Sequence, residues 1–212
     1  MREKILTFQE NLDRYDSWYD RHREIFLSEL KAVSSAHTFS PRSLEIGVGT
    51  GRFSSNLNIS FGVDPCFAML RLAQQRGTEV VAGVGEQLPF KDHSFDDVLI
   101  AITICFVEDP LRVLKECRRV LKKGGKLVLA YIDRESAWGK FYERRKEENP
   151  FYRFANFYST DEIEDLLSKA GFKVGKRVET LFAPPGLSRY EIEEPREGRA
   201  EGSLVVLVAV RD

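Results

Sequence analysis

Four alternating residues constrain this chain more than any others: Glu45, Gly47, Gly49 and Gly51, within Leu44-Glu45-Ile46-Gly47-Val48-Gly49-Thr50-Gly51-Arg52-Phe53. An apolar run that gives way to closely spaced glycines reads as a buried strand entering a turn and then a helix. Glycine accepts positive φ and carries no side chain, so the backbone of such a turn can approach a ligand closely. A dinucleotide-binding turn would be G-x-G-x-x-G/A, its third small residue packing the helix on the strand. Gly47 and Gly49 fit that pattern, but Arg52 stands in the third place and Gly51 comes one residue early. Glu45, two residues before the first glycine, sets a carboxylate where a pyrophosphate is disfavoured and a cationic ligand is suited.

The rest of the chain supplies the partners of such a turn. Its 212 residues suffice for one sizeable α/β core and are short for two ordinary domains. Residues 1–212 are therefore read as a single domain. Apolar positions at helical spacing (Leu12, Tyr15, Trp18 or Tyr19, Ile25 or Phe26, Leu30, Val33) predict one helix packed on the sheet, within an N-terminal cap over 1–39. Strands are expected at Ser43–Ile46, Phe61–Val63, Glu79–Ala82, Phe95–Ala101 and Lys126–Ile132, then at Phe172–Phe182 and Leu204–Val210. A helix is expected from Asp109-Pro110 to a stop at Gly124, with Lys122 and Lys123 in its last turn against the helix dipole. Ser159-Thr160-Asp161-Glu162 is a capping box. Between them, residues 133–158 alternate aromatics with charge (Trp138, Phe141, Tyr142, Phe151, Tyr152, Phe154, Phe157, Tyr158) and read as a cap inserted after strand five. The plainer reading is a satellite core in which these rings bury one another.

Composition removes several function classes. There are 33 acidic and 32 basic side chains, so no broad attraction to nucleic acid is implied, and the acids beside Arg144-Arg145-Lys146 cancel a local patch. Nucleic acid is not the expected partner. The longest apolar run, Val98 to Val107, is about half the roughly 20 residues a membrane span needs, and Met1-Arg2-Glu3-Lys4 does not open an apolar signal core. His22, His37 and His93 lie far apart, and Cys66, Cys105 and Cys117 make neither a metal spacing nor an even disulfide set. No metal is expected, and the cysteines fit the cytoplasm.

Four linked segments resemble the class I S-adenosylmethionine (SAM)-dependent methyltransferases of small-molecule type. They are the Glu45–Gly51 turn; Gly62-Val63-Asp64-Pro65-Cys66-Phe67-Ala68-Met69-Leu70; Glu86-Gln87-Leu88-Pro89-Phe90 with Ser94-Phe95-Asp96; and Glu108-Asp109-Pro110 with Arg119-Val120-Leu121-Lys122-Lys123-Gly124-Gly125. The resemblance implies an α/β, Rossmann-like, doubly wound sheet of seven strands in the order 3-2-1-4-5-7-6, strand seven antiparallel. It implies SAM as cofactor, S-adenosylhomocysteine as product, and a small-molecule N, O, S or C nucleophile as acceptor. Asp64, 17 residues beyond Gly47, falls where an acid binds the ribose hydroxyls. Its plainer reading is the N-cap of a helix starting at Pro65. Glu45, Gly47, Gly49, Gly51, Pro65, Met69, Val84, Gly85, Glu86, Leu88 and Ala101 complete the expected cofactor set. The family's adenine-facing acid is replaced by Val84, leaving backbone around Val84–Glu86 and the side chain of Leu88 for that ring.

The acceptor is expected against Tyr15, Trp18, Tyr19, Cys105, Phe151 and Tyr152; for Cys105 the alternative is an inert core thiol. No catalytic residue is assigned, since an activated methyl donor needs no dedicated acid or base. A non-catalytic SAM-binding or partner-binding module stays open as an alternative, and so does a nicotinamide-dependent oxidoreductase, although Arg52 is misplaced for the latter. The oligomeric state is left open.

Overall fold

The computed structural model describes residues 2–212. Its centre is one sheet in the order β3-β2-β1-β4-β5-β8-β6-β7. The strands are β1 (Ser43–Ile46), β2 (Phe61–Asp64), β3 (Glu79–Ala82), β4 (Phe95–Ala101), β5 (Leu121–Ile132), β6 (Phe172–Thr180), β7 (Arg196–Glu197) and β8 (Leu204–Arg211). β3, β2, β1, β4 and β5 run parallel, while β8 inserts antiparallel between β5 and β6. The order expected for seven strands is therefore present. The additional β7 is a two-residue edge strand that pairs with Val178 and Glu179.

Period-two alternation divides the core into two layers. From β5, Leu127, Leu129 and Tyr131 face one layer with α6 (Pro110–Val120) and α8 (Thr160–Lys169); Val128, Ala130 and Ile132 face the other with α3 (Arg23–Ala36) and Phe53. The capping box at Ser159 is complete, its hydroxyl accepting from Glu162 N and the Glu162 carboxylate accepting from Ser159 N.

Two expected helices differ from those observed. The predicted helix over Leu12–Val33 is two, α2 (Leu12–Arg21) and α3, preceded by a further helix, α1 (Arg2–Glu10). The break between α2 and α3 falls at His22, where the chain leaves helical angles; its ring Nδ1 lies 3.0 Å from Trp18 O, the same carbonyl that accepts the His22 N–H. The helix predicted to reach Gly124 stops at Val120, because its last carbonyls are already taken: His93 N donates to Arg119 O and Ser94 N to Val120 O. Lys122 and Lys123 accordingly lie in the extended start of β5, and Lys122 pairs with Asp96 at 2.6 Å instead of facing a helix terminus.

Candidate active site

The carboxyl ends of β1, β2 and β4 open into a cleft that is partly open to solvent. Its floor is backbone. Gly47 N and Val48 N both donate to Val63 O, which folds the chain sharply as it leaves β1. Gly47 has φ +71°, and a Cβ there would lie 2.9 Å from Thr103 Cβ and nearer still to the Thr103 methyl. Any larger residue would have to displace the segment that follows β4. Gly49 has φ +52° and faces the Tyr15 ring, whose hydroxyl would lie 3.3 Å from an added Cβ.

Asp64 ends β2 at the cleft wall and is half-buried. Its Oδ2 accepts from Gly49 N at 3.1 Å and its Oδ1 from Cys66 N at 2.8 Å. Burial raises its pKa to about 6 against the pull of those two hydrogen bonds. The helix that follows, α5 (Phe67–Gln75), starts beyond Pro65 with Cys66 at its N-cap, so the carboxylate ties the strand end to the glycine turn rather than capping at Pro65.

The opposite wall is aromatic and comes from distant sequence. Lys4, Ile5 and Phe8 of α1 and Tyr15 of α2 close one side of the cleft, and Ile102, Thr103, Phe106 and Val107 close another. Phe8 packs on Phe106, Phe151 and Tyr15 with ring centroids 5.5, 5.0 and 5.6 Å apart. The Lys4 ammonium donates to Phe106 O, which ties α1 to the segment after β4. Ile102 has φ +51°, an uncommon setting for a β-branched residue, and its N–H donates to Ala130 O at 2.8 Å.

An ionic latch holds this roof over the turn. Arg52, at the start of α4 (Arg52–Leu57), makes a two-point contact with Asp16 of α2, Nε to Oδ1 at 3.0 Å and Nη2 to Oδ2 at 2.8 Å, and also reaches Asp20. Arg76 adds a 2.8 Å bond to Asp16 and donates to Thr50 O. Burial works to raise the Asp16 pKa, but the two guanidinium groups outweigh it and hold the carboxyl well below its ordinary range.

Of the expected cofactor residues, Gly47, Gly49, Asp64, Pro65, Met69, Val84, Gly85 and Glu86 line this one cleft. Glu86 also accepts from Glu108 N at 2.8 Å. The other four are placed behind its wall. Glu45 is buried beneath the turn with Ser54 hydrogen-bonded to it and one oxygen unpartnered, its pKa raised by that burial. Gly51 packs on Ala73, Leu88 lies in the core, and Ala101 is buried with its carbonyl accepting from Thr103.

Among the expected acceptor residues, Tyr15 lines the cleft and Phe151 packs on it at 5.7 Å. Trp18, Tyr19 and Tyr152 form a layer behind them, with Trp18 stacked on His22. Cys105 is buried and its thiol is pushed up to about 12 by desolvation, which leaves it un-ionised and unreactive. Lys4, Ile5, Phe8, Ile102 and Thr103 had no individual signal in the sequence, since each owes its place to an α1 or post-β4 backbone path. Among the described residues no His, Cys, Asp and Glu cluster could hold a metal ion, and no helix is long and apolar enough to cross a membrane.

Residues 44–129 match the model of a methyltransferase domain. A SAM-dependent methyltransferase of Thermotoga maritima, described as a possible histamine N-methyltransferase, superposes with a TM-score of 0.93 at 47% identity, covering 99% of this chain and 100% of that one. A demethylmenaquinone methyltransferase of the same organism is 33% identical over 66% of this chain and 72% of its own length. A Methanocaldococcus jannaschii protein of unassigned function is 41% identical over 96% of this chain and 98% of its own. The chain belongs to the SAM-dependent methyltransferases. It is an enzyme, and its cofactor is SAM.

The cleft of this methyltransferase suits that cofactor. Gly47 and Gly49 leave a cradle that Cβ atoms would fill, and the cleft carries a carboxylate at the end of β2 in otherwise largely apolar walls. Those are the features a nucleoside with a vicinal diol and a cationic sulfonium requires.

Proposed function

We infer that this methyltransferase acts on a small-molecule nucleophile, as one domain with an aromatic roof made by its N-terminal helices and the segment after β5. The observation that carries this is the aromatic cover over one side of the cleft. Tyr15, Phe8, Phe106 and Phe151 cover the turn with rings, and the latch at Arg52 holds them there. A wall of this kind grips an apolar or aromatic acceptor and sheds water, whereas a nucleic acid or protein substrate needs an open, charged approach.

In this reading Asp64 accepts from the ribose hydroxyls, the Gly47–Gly49 backbone lies along the amino-acid portion, and Val84–Glu86 border the adenine. SAM supplies a methyl group already activated by its sulfonium. With SAM bound, the acceptor's lone pair would bond to that methyl as the sulfur–methyl bond broke, the electrons staying with sulfur in S-adenosylhomocysteine. The protein's part is to align and dehydrate the two reactants, which requires no acid–base pair. Three free, buried cysteines accord with a cytoplasmic setting.

The test is transfer of label from SAM across a panel of amines, phenols, thiols and quinones, with total RNA and denatured protein as competitors. The Thermotoga neighbour makes amines the first class to try. Turnover on one small-molecule class is the expected result. Label found only in RNA or protein would overturn the reading.

A further inference from the structure

Charge in the cofactor cleft is unevenly distributed. Among the described residues that line it, only Asp64, Glu86 and Lys4 carry a formal charge. Both carboxylates are engaged with backbone: Asp64 accepts from Gly49 N and Cys66 N, and Glu86 accepts from Glu108 N. Lys4, half-buried on α1, is the one cation of the lining. An ammonium has three N–H donors. Lys4 gives one to Phe106 O, a carbonyl that carries no formal charge.

SAM brings an α-carboxylate into this cleft together with its cationic groups. A carboxylate withdrawn from water needs N–H donors or a cation. The N–H groups of the glycine turn already have acceptors of their own. Those of Gly47 and Val48 go to Val63 O, that of Gly49 to Asp64, and that of Gly51 to Val48 O. Arg52 and Arg76, the guanidinium groups beside the turn, are bound to Asp16 and do not line the cleft. The Tyr15 hydroxyl lines it but brings no charge. Lys4 is the charge partner left.

Its place on α1 ties that partner to the roof. Lys4 and Phe8 are four residues apart and share one face of the helix. Phe8 meets Phe106 and also Phe151, in the segment that follows α7 (Ala137–Arg144). The polar ties of α1 to that segment are modest: Arg153 Nη2 donates to Glu3 Oε1 at 3.1 Å and to Thr7 Oγ1 at 3.4 Å. Resting on the placement of the cofactor in this cleft, we propose that Lys4 pairs with the α-carboxylate of SAM and that this pair seats α1. The charge of the cofactor then sets the Phe8 wall that the acceptor meets.

Calorimetry on the parent protein and on Lys4→Met, comparing S-adenosylhomocysteine with its decarboxylated analogue, tests this. The analogue keeps the adenosine, the sulfur and the amine. Methionine keeps an unbranched apolar stem and deletes the charge. The parent should bind S-adenosylhomocysteine about ten-fold or more tightly than the analogue, and Lys4→Met should cut that preference to about two-fold or less by weakening S-adenosylhomocysteine alone. In the parent, hydrogen exchange of the α1 amides should slow more under saturating S-adenosylhomocysteine than under saturating analogue. That measurement needs no variant and decides the matter if Lys4→Met does not fold. No preference in the parent, unchanged affinity of Lys4→Met for S-adenosylhomocysteine, equal weakening of both ligands, or equal protection of α1 by both would overturn the proposal. If S-adenosylhomocysteine does not bind the parent at all, the placement of the cofactor in this cleft falls, and the proposal with it.

Discussion

The two walls of the cleft are built by opposite means. The floor is backbone: the turn from Gly47 to Gly51 and the ends of β1, β2 and β4, fixed by hydrogen bonds such as Gly49 N to Asp64. The roof is side chain: Phe8, Tyr15, Phe106 and Phe151 meet from opposite ends of the sequence. A backbone surface tolerates few residue types at each position and so leaves a spacing pattern behind. An aromatic surface needs only enough rings in roughly the right place, so it constrains the sequence loosely and can be rebuilt for a different acceptor. Changes to the floor should therefore cost cofactor binding steeply, and changes to the roof should cost less and act on choice of acceptor.

The largest expected effect is at Gly47. Alanine there must adopt a positive φ and collide with Thr103, so Gly47→Ala should lose about 2–4 kcal/mol of stability and have no measurable SAM affinity. Adding Thr103→Ala should recover part of the stability and little of the binding, because the strained backbone remains. Denaturant titration and calorimetry on the single and double variants check this. Full recovery of both would mean that the floor is governed by side-chain packing, and the contrast with the roof would be lost.

Asp64 separates binding from stability. Asp64→Asn keeps the shape but loses the charge, and should weaken SAM binding by about 1–3 kcal/mol, the scale of a charge-assisted hydrogen bond. Its effect on the free protein runs the other way. The folded-state pKa of about 6 lies above the ordinary aspartate value of 3.8, so between those limits the native state holds a proton that the unfolded chain has released. The contribution of this group to stability therefore falls as pH rises from about 4 to about 6 and stays diminished above it. Ligand-free Asp64→Asn should lack that fall and melt higher than the parent at pH 8. Equal melting temperatures at pH 8 would show that Asp64 carries no such strain.

Arg52 joins floor to roof. Arg52→Ala removes two carboxylate partners and leaves Asp16 with Arg76 alone, which should cost about 1–2 kcal/mol of stability. SAM affinity should fall only several-fold, since the turn itself is intact, and α1 and α2 should exchange amide protons faster than β1 and β4. Uniform exchange in both regions would mean that the roof is not an independently loosening unit.

What could be read beforehand follows the same division. The strands Ser43–Ile46, Glu79–Ala82 and Phe95–Ala101 lie where their apolar runs place them, and eight of the expected cofactor residues share one cleft, because strand ends and glycine turns are local in sequence. The stop of α6 at Val120 was not legible, since it depends on carbonyls claimed by His93 and Ser94 from another segment. Nor was the role of Arg52, which by sequence merely breaks a dinucleotide pattern and in the fold clamps α2. Phe8 and Thr103 matter through contacts about a hundred and about fifty residues away, which no periodicity encodes.

The smallest expected effect is at the adenine end of the floor, where this chain departs from the pattern it otherwise follows. Val84 lines the cleft beside Gly85, and its carbonyl accepts from Gln87 N at 3.2 Å, so the backbone there is held in place while the side chain offers no hydrogen bond. If Val84–Glu86 border the adenine, Val84→Asp gives its exocyclic amine an acceptor and should tighten SAM binding by about 0.5–1.5 kcal/mol. The gain should vanish for the analogue in which that amine is replaced by hydrogen. A gain of equal size for both compounds would show that the new charge acts on the sulfonium through the cleft. The floor would then select its ligand by overall field as well as by backbone shape, which narrows the difference between the two walls.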